Sequence, residues 1–158
     1  MVKICLVIGT RPEIIKTSPI ISEWESKGTD FLILHTGQHY SPDMDRIFFD
    51  ELNLPQPKYN LGVGSGTHGK QTGHMLERIE EVLLKESPDM VVVQGDTNTT
   101  LAGSLAAVKL SIPVAHVEAG MRSFKADMPE EINRKIVDHI STLLFVTSDT
   151  PKLNLLRE

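Results

Sequence analysis

The chain has 158 residues, of which 40% are hydrophobic and 23% charged, a composition that predicts one globular domain and excludes a disordered chain. Its formal net charge of -5 argues against a nucleic-acid or anionic-membrane partner, because both require a basic face. The single cysteine rules out a disulfide within the chain, no apolar run approaches the ~20 residues of a membrane span, and no signal peptide opens the sequence, so we expect a cytoplasmic protein.

Short apolar runs recur along the chain, and each is followed by a helix-like segment. The runs span 3–9, 31–37, 90–96, 113–120 and 143–148. Their hydrophobicity is continuous rather than alternating, which is typical of strands buried on both faces of a sheet. The predicted fold class is therefore α/β, a Rossmann-like parallel sheet with helices on both faces.

Helix signals lie between these strands. Pro12 suits the first turn of a helix, and the segment 67–86 carries apolar residues at spacings of three and four. Asp96 or Thr97 can cap the next helix, which runs to residue 110.

The last two helices begin at Pro129 and within 149–151. The second of them stops at Glu158 without a closing glycine or a following strand. A helix this short is marginal unless it packs on another element, so we expect residues 1–158 to be one domain of a larger protein.

The turn after the first strand reads Gly9-Thr10-Arg11-Pro12-Glu13. It matches neither the G-x-G-x-x-G fingerprint nor a P-loop, which argues against NAD and P-loop chemistry. A helix N-terminus with an arginine beside it still attracts anions such as phosphate. The alternative is that Arg11 only pairs with a neighbouring acid such as Glu13.

Acidic residues follow the later strands, at the edge where open parallel sheets bind ligands. Asp96 is either a helix cap or a carboxylate that titrates at the mouth of the sheet. His116 and Glu118 share one face of a strand, but no third residue is spaced to complete a metal site. A buried Glu118 favours function, with a salt bridge to Arg122 as the competing interpretation.

Four segments taken together resemble the non-hydrolysing UDP-N-acetylglucosamine 2-epimerases. They are GTRPEIIK (9–16), TGQHY (36–40), QGDTNTT (94–100), and HVEAGMRSF with MPEEINR within 116–134. The resemblance implies one half of a glycosyltransferase-B-like two-domain fold, in which residues 1–158 are the N-terminal Rossmann-like domain and the C-terminal nucleotide-binding half is absent from this chain.

The same resemblance implies an isomerase that interconverts UDP-N-acetylglucosamine and UDP-N-acetylmannosamine without a metal or cofactor. It eliminates UDP to leave a 2-acetamidoglucal, and then adds UDP back while a proton is delivered to the opposite face of C2. The isolated half is expected to lack full activity, because the family's remaining catalytic histidine belongs to the second half. A homodimer is expected for the full-length protein.

Matching by motif assigns site residues to this sequence. The implied catalytic residues are Asp96, Glu118 and Glu130, and the implied substrate-binding residues are Arg11, Lys16, Gln38, His39, His116 and Arg122. Arg11 and Lys16 fall on the diphosphate side. Three carboxylates in one cleft should raise the pKa of at least one of them, as a proton donor requires.

Two alternatives stay open. A hydrolysing 2-epimerase would carry similar acids but release UDP and free N-acetylmannosamine. A half that binds a nucleotide sugar or a partner subunit without catalysis would also fit a chain that ends at Glu158.

Overall fold

The computed structural model describes residues 2–38 and 42–158, and for residues 42–45 it describes the backbone alone. Over these residues six strands and six helices alternate. The strands are β1 (Lys3–Ile8), β2 (Asp30–His35), β3 (Tyr59–Asn60), β4 (Met90–Gln94), β5 (Val114–Val117) and β6 (Leu143–Phe145). The helices are α1 (Arg11–Ser26), α2 (Pro42–Glu51), α3 (His68–Glu86), α4 (Asn98–Lys109), α5 (Pro129–Ile140) and α6 (Asp149–Arg157).

The strands form one sheet in the order β3-β2-β1-β4-β5-β6, and every pairing is parallel. The chain runs outward from β1 to β3 and then returns to β4 beside β1 before it runs outward on the other side. This is the doubly wound order, and its reversal between β1 and β4 opens a crevice at the carboxyl ends of the strands. The predicted fold class is confirmed.

The two faces of the sheet bury separate apolar layers. Neighbours in β1 alternate between them: Cys5 faces the layer beneath α3, α4 and α5, and Leu6 faces the layer beneath α1 and α2. Ile79 of α3 and Val137 of α5 are fully buried in the first layer, and Ile14 of α1 in the second. Burial on both faces explains the continuous hydrophobicity of the strands.

Two elements were absent from the sequence prediction. Strand β3 has two residues, which is too short to produce a periodic pattern, and it pairs with the end of β2 through Leu34–Tyr59 and His35–Asn60. Helix α2 precedes it, and Phe49 of α2 is buried in the second layer.

The observed strands end earlier than the apolar runs predict, because their last residues turn away from the sheet. Gly37, Gly95 and Glu118 have φ values of 64°, 78° and 72°. These left-handed conformations stop a strand, and Glu118 adopts one although it is not a glycine. The turns that result carry three of the predicted site residues, Gln38, Asp96 and Glu118.

Candidate active site

An open cavity of about 310 Å³ lies at the carboxyl edge of the sheet, where β1 and β4 are adjacent. Its walls come from the β1–α1 turn, the β4–α4 turn, the loop after β5, and α5. The lining residues are Thr10, Pro12, Glu13, Lys16, Gln94, Gly95, Asp96, Thr97, Glu118, Met121 and Arg134. The structure therefore brings three of the predicted residues together: Lys16, Asp96 and Glu118.

Glu118 follows β5 directly and turns its carboxylate into the cavity. Its backbone N–H and that of Ala119 donate to the Phe145 carbonyl at 3.0 Å each, which holds the left-handed conformation at Glu118 against its strain. Lys16 Nζ lies 3.0 and 2.9 Å from the two carboxylate oxygens, and Gln94 Nε2 also donates to this carboxylate. The pairing with Arg122 that the sequence left open is wrong.

Asp96 lies across the cavity and is paired with a different cation. Its carboxylate contacts Arg134 Nη2, and Arg134 Nη1 lies 3.0 Å from Glu131 Oε2. The backbone carbonyl of Asp96 accepts a hydrogen bond from Asn133 Nδ2 at 2.9 Å. Thr97, not Asp96, caps α4, in a reciprocal capping box with Thr100. The Asp96 side chain is thus not the helix cap.

Glu131 holds the loop after β5 against α5. Its carboxylate accepts hydrogen bonds from the backbone N–H groups of Ser123 at 2.8 Å and Phe124 at 3.2 Å. Burial by itself would raise the pKa of Glu131, but the bonds from Ser123 and Arg134 outweigh it and the pKa is lowered. Glu131 is therefore a buried, ionised anchor for this wall of the cavity.

The neighbouring Glu130 lies half-buried in the first turn of α5, and the cavity lining does not include it. Within the described part of the chain its side chain makes no hydrogen bond or ion pair. Its catalytic role stays a prediction.

The other predicted ligand contacts have different settings. Arg11 is exposed at the start of α1 and makes no ion pair with the residues described. Gln38 Oε1 accepts a hydrogen bond from Thr99 Oγ1 at 2.9 Å, beside the cavity rather than in its lining. His39 lies outside the described residues.

His116 and Arg122 are buried below the cavity. The His116 side chain has no exposed surface, and its ring nitrogens lie 2.7 Å from Asp138 Oδ1 and 2.7 Å from the Gly95 carbonyl oxygen. The Arg122 guanidinium, also without exposed surface, pairs with Asp138 at 2.7 Å and Glu158 at 2.6 Å. Both predicted substrate contacts are thus engaged with protein groups.

Glu13 is a cavity residue that the sequence analysis did not assign to the site. Its Oε2 accepts from the Gly9 N–H at 2.9 Å and the Thr10 hydroxyl at 2.8 Å, and its Oε1 accepts from the Thr97 hydroxyl at 2.8 Å. It does not pair with Arg11. The Thr10-x-x-Glu13 spacing, typical of a capping box, was the signal available for it.

Burial raises the pKa of Glu13 by desolvation, although hydrogen bonds from Gly9 and Thr97 oppose the shift. Glu13 is thus a cavity carboxyl group with a raised pKa, and the sequence analysis had not named it among the acids expected to supply a proton donor. Its bonds join the β1–α1 turn to the β4–α4 turn.

The β1–α1 turn also depends on Gly9. A Cβ at Gly9 would meet Thr36 Oγ1 at 2.1 Å, so the turn requires a glycine there.

The cavity has mixed charge. Lys16 and Arg134 bring positive charge, and each is paired with a carboxylate on a different structural element. Two separated carboxylates can serve proton transfer at two positions, and the cations can stabilise an anionic ligand. No cluster of three metal-ligating side chains occurs among the described residues.

A doubly wound domain with a charged cavity at its topological switch point belongs to the class of Rossmann-like α/β domains, which bind ligands at the carboxyl ends of their strands. The sequence model of the family described as UDP-N-acetylglucosamine 2-epimerase matches residues 23–158. The chain belongs to this family, as its motifs predicted. In the part of the chain that the structure covers, none of the helices has the length and apolar character to cross a membrane.

Individual relatives agree with this assignment. A UDP-N-acetylglucosamine 2-epimerase from Methanocaldococcus jannaschii is 66% identical over 156 residues, which are 99% of this chain and 43% of the relative. A UDP-2,3-diacetamido-2,3-dideoxy-D-glucuronate 2-epimerase from Pseudomonas aeruginosa is 50% identical over 157 residues, which are 99% of this chain and 44% of the relative. The chain therefore spans less than half the length of these relatives.

Solved structures match over the same extent. The crystal structure of the Methanocaldococcus jannaschii enzyme in complex with UDP-GlcNAc and UDP has a TM-score of 0.95 and 66% identity, covering 98% of this chain and 43% of that one. The crystal structure of the Neisseria meningitidis enzyme bound to UDP-GlcNAc has a TM-score of 0.91 and 34% identity. The match covers 98% of this chain and 42% of that one. This chain is the N-terminal half of a glycosyltransferase-B-like fold.

Proposed function

We propose that the full-length protein containing this chain interconverts UDP-N-acetylglucosamine and UDP-N-acetylmannosamine. The observation that carries the proposal is the 66% identity, over 99% of the chain, to a UDP-N-acetylglucosamine 2-epimerase. The cavity supports it independently, since two carboxylates from separate strand ends, Asp96 and Glu118, line one space together with Lys16 and Arg134.

The reaction is an elimination followed by an addition. A base removes the proton from C2, the bond between C1 and the UDP oxygen breaks, and the electron pair leaves with UDP. A C1–C2 double bond remains, which makes the intermediate a 2-acetamidoglucal. UDP then adds back to C1 while an acid delivers a proton to C2 from the opposite face.

Two faces of C2 require at least two acid/base groups. We assign this work to the set Asp96, Glu118 and Glu130, without dividing the faces among them. Asp96 and Glu118 enter the cavity from β4 and β5, and separate elements of this kind can approach a sugar ring from different sides.

The departing diphosphate requires positive charge. Arg11 is exposed beside the N-terminus of α1, and Lys16 is one turn further along the same helix with 53% of its side chain exposed. In the free protein Lys16 is bonded to Glu118. A bound diphosphate would compete for the Lys16 ammonium and release the Glu118 carboxylate as a base.

The part of the protein beyond this chain is proposed to close the cavity and to hold the nucleotide, because the chain is only 43% of the length of its relative. We further propose a homodimer for the full-length protein. Residues 1–158 alone are expected to lack full turnover.

The experiment is to incubate the full-length protein with UDP-N-acetylglucosamine in D2O and to follow C2 and the products by proton NMR. We expect deuterium at C2 and accumulation of UDP-N-acetylmannosamine. Free N-acetylmannosamine with UDP would identify the hydrolysing alternative. Absence of any C2 exchange would overturn the proposal and leave a non-catalytic binding role.

A second candidate substrate is favoured by one comparison, the 50% identity to the Pseudomonas aeruginosa 2-epimerase of a diacetamido-glucuronate. The chemistry at C2 is the same, so the acids do not separate the two substrates. Measuring turnover of the two UDP-sugars in parallel separates them. The higher identity to the UDP-N-acetylglucosamine enzyme predicts that UDP-N-acetylglucosamine has the greater kcat/KM.

A further inference from the structure

The buried imidazole of His116 links the floor of the cavity to α5. Its Nδ1 lies 2.7 Å from Asp138 Oδ1, and its Nε2 lies 2.7 Å from the carbonyl oxygen of Gly95. Because this carbonyl can only accept, Nε2 donates to it. The His116 side chain has no exposed surface and the Asp138 side chain is only 1% exposed, so solvent cannot replace these partners.

Gly95 connects β4 to the catalytic candidate Asp96. Its φ of 78° is left-handed, and its N–H donates to the Val117 carbonyl at 3.0 Å. The carbonyl of Gly95 belongs to the peptide unit that leads into Asp96. The orientation of this peptide plane therefore sets the direction from which the Asp96 side chain enters the cavity.

The other end of the link is anchored firmly. Asp138 Oδ2 accepts from the Gly120 N–H at 3.1 Å and from Arg122 Nη1 at 2.7 Å. Arg122 in turn makes two bonds to Glu158, at 2.9 and 2.6 Å. Asp138 is thus fixed by the loop after β5, which gives the imidazole a rigid support.

We propose that His116 is a positioning residue, which acts through its Nε2 hydrogen bond to orient the Gly95–Asp96 turn. The inference deepens the proposed epimerase function and rests on it. It also replaces direct substrate contact as the role of His116, since both ring nitrogens are already bonded to protein groups. Asp138 and Arg122 support the ring and are not themselves among the residues that line the cavity.

Two isosteric replacements separate the two bonds of the ring. In His116→Gln the side-chain amide nitrogen overlays Nε2 and can donate to Gly95. In His116→Asn the amide nitrogen overlays Nδ1, keeps the bond to Asp138 and loses the bond to Gly95. The test compares these variants in the full-length protein, with His139→Asn on the exposed surface of α5 as the control for loss of a histidine.

We expect His116→Asn to lower kcat and the rate of C2 deuterium exchange by up to about 100-fold, the loss that misplacement of a catalytic group by roughly 1 Å can cause. KM for UDP-N-acetylglucosamine and the affinity for UDP should change little. His116→Gln should keep at least about tenfold more turnover than His116→Asn, because it restores the donor to Gly95. His139→Asn should match the wild type.

Equal turnover in the Gln and Asn variants would overturn the inference, whether both are active or both inactive. A parallel fall of kcat, UDP affinity and melting temperature would also overturn it, since it would mean a general structural role. Absence of C2 exchange in the wild-type protein would instead be a failure of the proposed function, and it is detected before any variant is measured.

Discussion

Lys16 and Glu118 are 102 residues apart in the sequence, yet Lys16 Nζ lies 2.9 Å from Glu118 Oε2 at the mouth of the cavity. The contact joins α1, which follows β1, to the turn that follows β5. Lys16, which is proposed to bind the diphosphate, is thus paired with Glu118, which is proposed to transfer a proton. A bound diphosphate would therefore compete with Glu118 for the Lys16 ammonium, whose side chain is 53% exposed.

Replacement of Lys16 tests this relationship. Lys16→Met should lower kcat/KM for UDP-N-acetylglucosamine by about 10- to 1,000-fold, because one electrostatic contact to the leaving group is lost. The free energy of unfolding should fall by less than about 1 kcal/mol, since the Lys16 side chain is 53% exposed. Steady-state kinetics and urea unfolding measure the two effects.

A matched control is Lys27→Met. Lys27 is the C-cap residue of α1, and the substitution removes its exposed ion pair with Glu23, in which the two charged groups are 2.8 Å apart. It should change neither quantity measurably. Loss of stability without loss of turnover in Lys16→Met would contradict the proposed role.

Glu118→Gln removes a proposed acid/base group and keeps its shape. We expect turnover and C2 exchange to fall by about 100- to 10,000-fold, the usual contribution of general acid–base catalysis. UDP affinity, measured by calorimetry, should stay within a few-fold of the wild type. Glu81→Gln, on the exposed surface of α3, serves as the control. A loss of UDP binding as large as the loss of turnover would mean that Glu118 has a structural role.

The adjacent acids Glu130 and Glu131 should respond in opposite ways. Glu131 is buried and accepts from the N–H groups of Ser123 and Phe124, so Glu131→Gln should lower the free energy of unfolding by about 1–3 kcal/mol. Glu130→Gln should lower turnover with little change in stability. Chemical denaturation and kinetics on both variants check the contrast, and the reverse pattern would exchange the assigned roles.

Glu86, at the opposite end of the sheet, should contribute stability that depends on pH. Hydrogen bonds from Lys3 at 2.7 Å, Lys58 at 2.9 Å and Tyr59 at 2.5 Å lower the pKa of Glu86 from 4.5 to about 2. Because the folded state has the lower pKa, the stabilisation is complete above pH 4.5 and is lost as the pH falls towards 2.

The measurement is the difference in unfolding free energy between wild type and Glu86→Gln, taken by urea titration from pH 6 downwards. The difference should be greatest near pH 6 and should shrink below pH 4.5. Glu77→Gln, an exposed substitution on α3, should show no such trend. A difference that grows on acidification would contradict the pairing of Glu86.

Cys5 should be inert in the folded protein. Burial in β1 raises the pKa of the Cys5 thiol to about 12, chiefly by desolvation, and the side chain has no exposed surface. An aromatic disulfide reagent at pH 8 should react only in denaturant, with one thiol per chain. Rapid reaction without denaturant would show that β1 opens readily.

The sequence by itself determined the alternation of strands and helices, the doubly wound class and the family. These properties depend on neighbours one to four residues apart and on motifs read in order. Glu13 was missed as a site residue, although its spacing from Thr10 is a local pattern of the capping-box type. Strand β3 was missed because two residues hold no period.

Only the tertiary structure decided which charges meet. The sequence left open a salt bridge between Glu118 and Arg122. The register of the parallel sheet instead brings Lys16 to Glu118 and buries Arg122 against Asp138. It also turns His116 away from the cavity and onto Gly95. Such pairings depend on how strands far apart in the chain align, and no local pattern of residues encodes that alignment.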